Sequence, residues 1–311
     1  MKNRFVKLFA MIAVICLLLT AVACGGPSAD KIDPPVSEDG QIQPQGEELL
    51  TLGVISDSQL RPKNEANGNM ATGEEHFGKA LTYLKNRGVD GIVMNGDMVD
   101  YATEEAYDVY ENVLKQSLGE SDLPLVFSPG NHECFVLDSS KPKSYAFELF
   151  TRSTGFQPDS YTEIAGYPVI SLATDDYYKC TIPEKSLNFL RANIEKAAKA
   201  AEGGPIFVCS HAPITNTVIG SESDATPEGG VLYGILKDYP NAVLLTSHTH
   251  RSVFDERSIH QSKFTTINTG TLSYGCVGVY DGKTLKNASG LPFDNVNVHS
   301  NTADANPMSD A

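Results

Sequence analysis

A layered α/β domain with sheets inside helices is predicted by three features of this 311-residue chain. Short apolar runs that read as buried strands alternate with longer stretches whose apolar residues recur every three or four positions. Glycines stand where those stretches would have to end. Five of the strand-like runs also stop at segments crowded with carboxylate, amide and imidazole groups, at the sheet edge where open α/β folds keep their ligand sites. At 41% hydrophobic and 20% charged residues, the composition is that of a globular domain rather than a disordered or fibrous chain.

Taken in order, LLTLGVIS (49–56) is the first strand and leads into Asp57-Ser58-Gln59. Thr72 and Glu75 then form a capping box, Phe77, Ala80, Leu81 and Leu84 make one apolar face, and Gly88 ends the helix. GIVMN (91–95) runs into Gly96-Asp97-Met98-Val99-Asp100. The next helix spans Thr103 to Leu118, with Ala106, Tyr110, Val113 and Leu114 inward and Gly119 as its stop. LPLVFSP (123–129) delivers Gly130-Asn131-His132-Glu133.

Beyond that point the alternation loosens. Residues 143–153 read as a short helix, and YTEIAGYPVISLA (161–173) as a hairpin turning near Gly166. A long helix is predicted from Pro183 to Ala201, with Leu187, Leu190 and Ile194 toward the core and Gly203-Gly204 beyond its end. PIFVCS (205–210) delivers His211, and AVLLTS (242–247) delivers His248-Thr249-His250. Between them, the polar stretch Thr215–Gly229 reads either as a lid over the site or as a flexible insertion. FTTINTG (264–270) alternates like a half-buried strand.

The two ends have a different character. Lys2, Arg4 and Lys7 precede an apolar run from Leu8 to Leu19, then Ala21-Val22-Ala23 and Cys24. That order is a signal segment (1–23) resembling a bacterial lipobox, with Ala21 where Leu is usual, and it makes Cys24 the expected lipidation site. Residues 24–48 are rich in Gly, Pro and acid and read as a tether, 49–292 as the folded domain and 293–311 as a disordered tail. The expected location is therefore extracytoplasmic, held at the membrane by lipid.

With Lys+Arg 24 against Asp+Glu 39, the chain carries −15, and loss of the signal segment removes only bases. No basic stripe remains, so nucleic acid is not an expected partner. Cys134, Cys180, Cys209 and Cys276 show no CxxC spacing, which argues against a zinc ribbon, and Cys209 in its apolar run reads as a buried free thiol.

The five motifs in this order, over residues 50 to about 275, resemble the calcineurin-like metallophosphoesterase family. Any one of them alone is more often a turn, and their order makes the resemblance specific. It implies a layered α/β/β/α sandwich of mixed sheets flanked by helices. It also implies two divalent metal ions (Mn, Fe or Mg, with Zn possible given oxygen and imidazole donors without thiolate). One ion would be held by Asp57, Gln59, Asp97 and His250, the other by Asp97, Asn131, His211 and His248, with Asp97 as the bridge. His132 would protonate the leaving oxygen and Asp100 would orient it, leaving Glu133 in a supporting place.

The implied activity is phosphate ester hydrolysis on a small phosphorylated substrate by a metal-bridging hydroxide, with mono- and diesterase both open. Two positions depart from the family pattern: Gln59 stands where histidine is usual, and Ser247 where glycine precedes His-x-His. Gln59 also sustains a rival reading, a surface-anchored lipoprotein that binds phosphorylated ligands with weakened turnover. Arg251 reads as an exposed rim arginine, with contact to substrate phosphate as the alternative, and His76, His260 and His299 receive no role. Further strands are usual in the family after the last histidine motif, so the short remainder here implies a small second sheet or an incomplete chain.

Overall fold

The computed structural model describes residues 49–62, 73–253, 255–273, 279–280 and 285–286. The chain separates into two units, Met1–Leu49 and Leu50–Ala311, and every element below belongs to the second. The signal segment, most of the tether and the tail, with Cys24, Thr72, Cys276 and His299, lie outside the described residues.

Three parallel strands form the first sheet: β1 (Leu52–Ile55), β2 (Gly91–Met94) and β3 (Leu125–Phe127). Helix α1 (Gly73–Arg87) joins β1 to β2, and α2 (Glu104–Leu118) joins β2 to β3, as right-length crossovers between parallel strands require. Thr103 caps α2 by accepting from the Ala106 N–H at 3.2 Å, and Gly119, with φ 61°, ends it. Helix α3 (Ser144–Thr154) follows and stops at Gly155 in the left-handed conformation.

Six strands make the second sheet, in the order β4-β5-β6-β7-β9-β8, so it is the larger of the two. The hairpin β4 (Ser160–Ile164) and β5 (Tyr167–Ser171) turns through Ala165 and Gly166, both at positive φ, as a two-residue turn between twisted strands demands. Helix α4 (Glu184–Ala200) leads to β6 (Ile206–Cys209), and α5 (Gly229–Leu236) leads to β7 (Ala242–Thr246). The short β8 (Ile259–Gln261) and β9 (Thr265–Asn268) close the sheet. Strands β5, β6, β7 and β9 run parallel, with β4 and β8 antiparallel at the edges. A two-residue pairing of β10 (Val279–Tyr280) with β11 (Leu285–Lys286) lies beyond.

The layers follow from the two-residue period of each strand. On β2, Ile92 and Met94 face one core with Phe77, Leu81, Tyr107, Tyr110 and Phe150 of the first three helices. Val93, between them, faces the other way and meets Val126, Ile164, Val169, Cys209 and Leu245 in the seam between the sheets. On β6 and β7, Ile206, Val208, Ala242 and Leu244 pack outward against Leu187, Leu190, Ile194, Leu232 and Leu236 of α4 and α5. The result is helix, sheet, sheet, helix, the predicted α/β/β/α order.

Helix α5, strand β8 and the β10–β11 pairing were not anticipated. Helix α5 is eight residues, almost wholly apolar and opened by two glycines, so it shows neither an amphipathic period nor a capping side chain. Strand β8 is three residues long and its pattern is too short to read. Among the described residues, no helix is long and apolar enough to cross a membrane.

Candidate metal centre

Every predicted ligand follows the C-terminal end of a parallel strand within a few residues: Asp57 after β1, Asp97 after β2, Asn131 after β3, His211 after β6, and His248 and His250 after β7. The first three come from one sheet and the histidines from the other, so the site lies where the two sheet edges meet. Turning side chains back into that edge bends the backbone. Asp57, Gln59, Asp97, His248 and His250 all adopt positive φ between 46° and 63°, a region that side chains other than glycine rarely occupy. Such conformations persist only where the surroundings over-determine them. Asp57 shows how: its N–H donates to Gly96 O, and its own carbonyl accepts from Ser273 N and Thr271 Oγ1.

Two glycines permit the close approach. A Cβ on Gly96 would stand 2.4 Å from His211 Nδ1, and one on Gly130 would stand 2.3 Å from Asp97 Oδ1, both inside contact distance.

Two groups of ligand atoms converge. Asp97, His211 and His248 form one, and Asp57, Asp97 and His250 the other, each with its atoms within 4.8 Å of one another. Asp97 belongs to both. His211 Nε2 stands 2.9 Å from Asp97 Oδ2, and His250 Nε2 stands 2.9 Å from Asp57 Oδ1. Proximity does not become hydrogen bonding here. Asp57 Oδ1 and Oδ2, Asp97 Oδ2, Asn131 Oδ1 and His211 Nε2 are all buried and lack an aligned partner. Burying charged carboxylates in that state costs several kcal/mol, roughly, unless cations fill the space between them. Two carboxylates, an amide oxygen and three imidazoles converging on shared points therefore fit a pair of divalent metal ions.

The atoms behind the ligands fix their orientation. His211 Nδ1 donates to Asn95 O (2.9 Å), which leaves Nε2 facing the carboxylates. Ser247 Oγ, at the position where glycine was expected, donates to the same Asn95 O (2.6 Å) and lies 3.0 Å from His211 Nδ1. The buried Glu133 carboxylate accepts from four backbone N–H groups, those of Asp97, Met98, Val99 and Gly130, and so fastens the loop after β2 to the loop after β3. Asn131 donates its amide N–H to Tyr177 O (3.0 Å).

His132 and the buried Gln59 stand together beside the ligand groups. His132 Nδ1 donates to Asp100 O (2.7 Å) and lies 3.2 Å from Asp100 Oδ1, while its Nε2 turns toward Asp97 Oδ2 at 3.8 Å. Asp100 is itself held by Arg61, whose Nε donates to Oδ2 at 2.6 Å. Gln59 bridges Ser273 Oγ, which donates to its Oε1 (3.1 Å), and His132 Nε2, 3.3 Å from its amide nitrogen. One Gln59 oxygen lone pair is thus already engaged.

The charges are mutually adjusted. Burial opposes ionisation of Asp97, but His211, His132 and His248 overcome it and hold the carboxyl below the ordinary range. Burial also opposes a proton on His211, and Asp97 and Asp57 reverse this, raising its pKa to about 10. His132 is half-buried, and although that burial opposes its proton, Asp97 and Asp100 raise it to about 9. His248 goes the other way, to about 4, through burial and the neighbouring His211. Burial and Asp97 push Glu133 up to about 7 against the pull of its N–H donors. In the metal-free chain, protons on imidazole stand where cations would.

Several neighbours escaped the sequence reading. Arg61, Ser273 and Tyr177 contact site residues across long sequence separations, and no local pattern marks them. Cys180 Sγ lies 3.2 Å from His248 Nε2, its pKa raised chiefly by burial, so a neutral thiol borders the second group. His76, given no role, holds Leu272 O through Nδ1 (2.7 Å) and thereby pins the segment carrying Ser273. The stretch 215–229 is built of turns and packs beside the last motif, where a Cβ on Gly220 would meet Thr249. Arg251 is half-buried, with its Nε lacking a partner.

Solved structures of two known proteins superpose on this chain to different degrees. A dimetal phosphatase from Danio rerio superposes with a TM-score of 0.51 at 13% identity, over 73% of this chain and 90% of that one. A purple acid phosphatase from yellow lupin seeds superposes at 0.48 with 11% identity, over 70% of this chain and 43% of that one. No curated protein sequence matches. The sequence pattern of the calcineurin-like phosphoesterases matches residues 50–252, from β1 through the last histidine motif. The chain belongs to the calcineurin-like phosphoesterase family.

Proposed function

We propose that this chain is a binuclear metal-dependent phosphohydrolase acting on a small phosphorylated substrate. The carrying observation is Asp97, a buried carboxylate common to two ligand groups, whose Oδ2 lacks an aligned partner, as do the Asp57 carboxylate oxygens and His211 Nε2 beside it. Asp57 and His250, with Gln59 alongside, would hold one ion, and Asn131, His211 and His248 the other. Two such ions, when bound, acidify water and neutralise charge developing on the phosphoryl oxygens.

The chain's own groups supply the rest. In hydrolysis an oxygen from water joins phosphorus, the ester P–O bond breaks, and the alcohol departs with a proton. His132 is oriented to give that proton, because Asp100 O fixes its Nδ1–H and turns Nε2 toward Asp97 at the candidate metal centre. Arg61 restrains Asp100 from behind, so the acid is positioned through a chain of three side chains. We further propose that lipid on Cys24 holds the enzyme at the outer face of the membrane, where Cys24→Ser would release it to the soluble fraction.

Metal-stripped full-length protein, reloaded separately with Mn, Fe, Zn and Mg, should hydrolyse chromogenic mono- or diesters in at least one metal form. Binding of two ions without turnover of any ester would favour instead the phosphoryl-ligand-binding reading.

A further inference from the structure

A departing group protonated by His132 would lie beside it, and aromatic rings from the loop between β5 and α4 gather next to His132. Tyr177 stands edge-on to His132 with centroids 5.0 Å apart, and Phe135 stacks on Tyr177 at 4.2 Å and 19°. Tyr178 meets Tyr177 edge-on at 5.0 Å, yet is itself 85% exposed, which is unusual for so large a ring. The loop that presents these rings is rigid. Asp176 Oδ1 accepts from the N–H groups of Tyr178 and Lys179, Cys180 N donates to Asp176 O, and Asp175 N donates to Thr181 O. It is tied to the site through Asn131 on Tyr177 O. Phe135, Tyr177 and Tyr178 also line a cavity of about 280 Å³ with Phe147, where Lys141 and Lys143 are balanced by Asp138, Asp175 and Asp176. A benzene ring needs only about 150 Å³.

We propose that Phe135, Tyr177 and Tyr178 form the leaving-group subsite, and that the substrates are phosphate esters whose departing alcohol carries a flat aromatic ring. The inference rests on the hydrolase reading and on His132 as the proton donor. Rings held on a rigid loop lose little freedom when a second ring stacks on them, and stacking of this kind is worth about tenfold in binding. The contact that ties this loop to the ligand set uses the Tyr177 carbonyl and not the rings.

The test compares phenyl phosphate with hexafluoroisopropyl phosphate, an alkyl ester of a comparably acidic alcohol, so that need for protonation is matched. Wild type should prefer the phenyl ester by about tenfold in kcat/KM. Tyr178→Ala, at an exposed position that folding does not depend on, should bring the ratio toward one, and Tyr178→Phe should restore it. Adenosine monophosphate as a third substrate distinguishes a nucleobase from a simple aryl group by which preference the alanine variant loses. Binding of phenylphosphonate against methylphosphonate to the metal-loaded protein gives a second readout independent of turnover. If wild type cleaves neither monoester, the phosphonate pair still decides the subsite, and the hydrolase reading fails only if diesters are also left intact. An aryl preference unchanged in Tyr178→Ala, or absent from wild type in both kinetics and binding, overturns the proposal.

Discussion

The two sheets bring different chemistry to one edge. Loops after β1, β2 and β3 supply oxygen donors, Asp57, Asp97 and Asn131, whereas loops after β6 and β7 supply nitrogen donors, His211, His248 and His250. Neither half suffices alone, and the seam between them is held by named contacts: His211 Nδ1 and Ser247 Oγ on Asn95 O, and Ser56 Oγ on Gly270 O. The difference teaches that the site depends on correct packing of the sandwich. An acidic half without the imidazole half is a cluster of buried charge, and the imidazole half alone has no bridge.

The sharpest way to break the comparison is at the residue the halves share. Asp97→Asn should abolish turnover, because it removes the carboxylate common to both groups. Initial rates at saturating metal check it, and activity within a few-fold of wild type would reduce Asp97 to a turn residue. Next in size is the separation of holding metal from moving protons. His132→Ala should keep metal content but lose about 10²–10⁴-fold in kcat for poor leaving groups, and much less for nitrophenyl esters. His211→Ala should instead lose metal and rate together. Elemental analysis beside both rates distinguishes them, and equal loss across leaving groups would remove His132 from proton donation.

How far this was legible in the sequence follows from the range of each signal. Strand-end motifs such as Gly96-Asp97 and Gly130-Asn131 are local, so the strands, the layers and the gathering of these side chains at one sheet edge could be read along the chain. Contacts that orient those ligands are not local. Ser273 reaches Gln59 across 214 positions, and Ser247 reaches Asn95 across 152, so only folding brings them together. Gln59 shows the consequence. Its sequence context suggests a ligand alone, while the structure also makes it a strut between Ser273 and His132. Helix α5 was missed for the opposite reason: its signal is local but uniform, since an almost wholly apolar stretch has no period to read.

Smaller effects sharpen the seam. Ser247→Ala removes a hydroxyl from Asn95 O and from the back of His211, and should weaken metal binding by about 10–100-fold without removing a ligand. Titration of metal into the variant checks it, and unchanged affinity would make Ser247 a passive filler.

Protons give a finer test. His211 rises to about 10 in the metal-free chain, so it is charged at neutral pH and must release a proton when its Nε2 takes metal. Metal affinity should therefore rise with pH up to about 10. His248, lowered to about 4, should release none at neutral pH. The sign for the metal-free fold is opposite: a raised histidine pKa stabilises fully below its unfolded value near 6.5, and the contribution is lost as pH rises through about 10. Calorimetry at pH 7.5 in buffers of differing ionisation enthalpy should show about one proton released on filling the His211 site, and none would contradict this. Smallest of all, Gln59→Ala should lower affinity at the Asp57 side only, by about tenfold or less, since Asp57, Asp97 and His250 remain.

The central claim is that two metal positions share Asp97 across the sheet edges. Manganese titration of wild type, Asp97→Asn and Asp57→Asn, followed by calorimetry, tests it directly. Two ions should bind to wild type, one should remain tight in Asp57→Asn, and both should weaken together in Asp97→Asn. If Asp97→Asn keeps one ion as tightly as Asp57→Asn does, the carboxylate is not shared and the account is wrong.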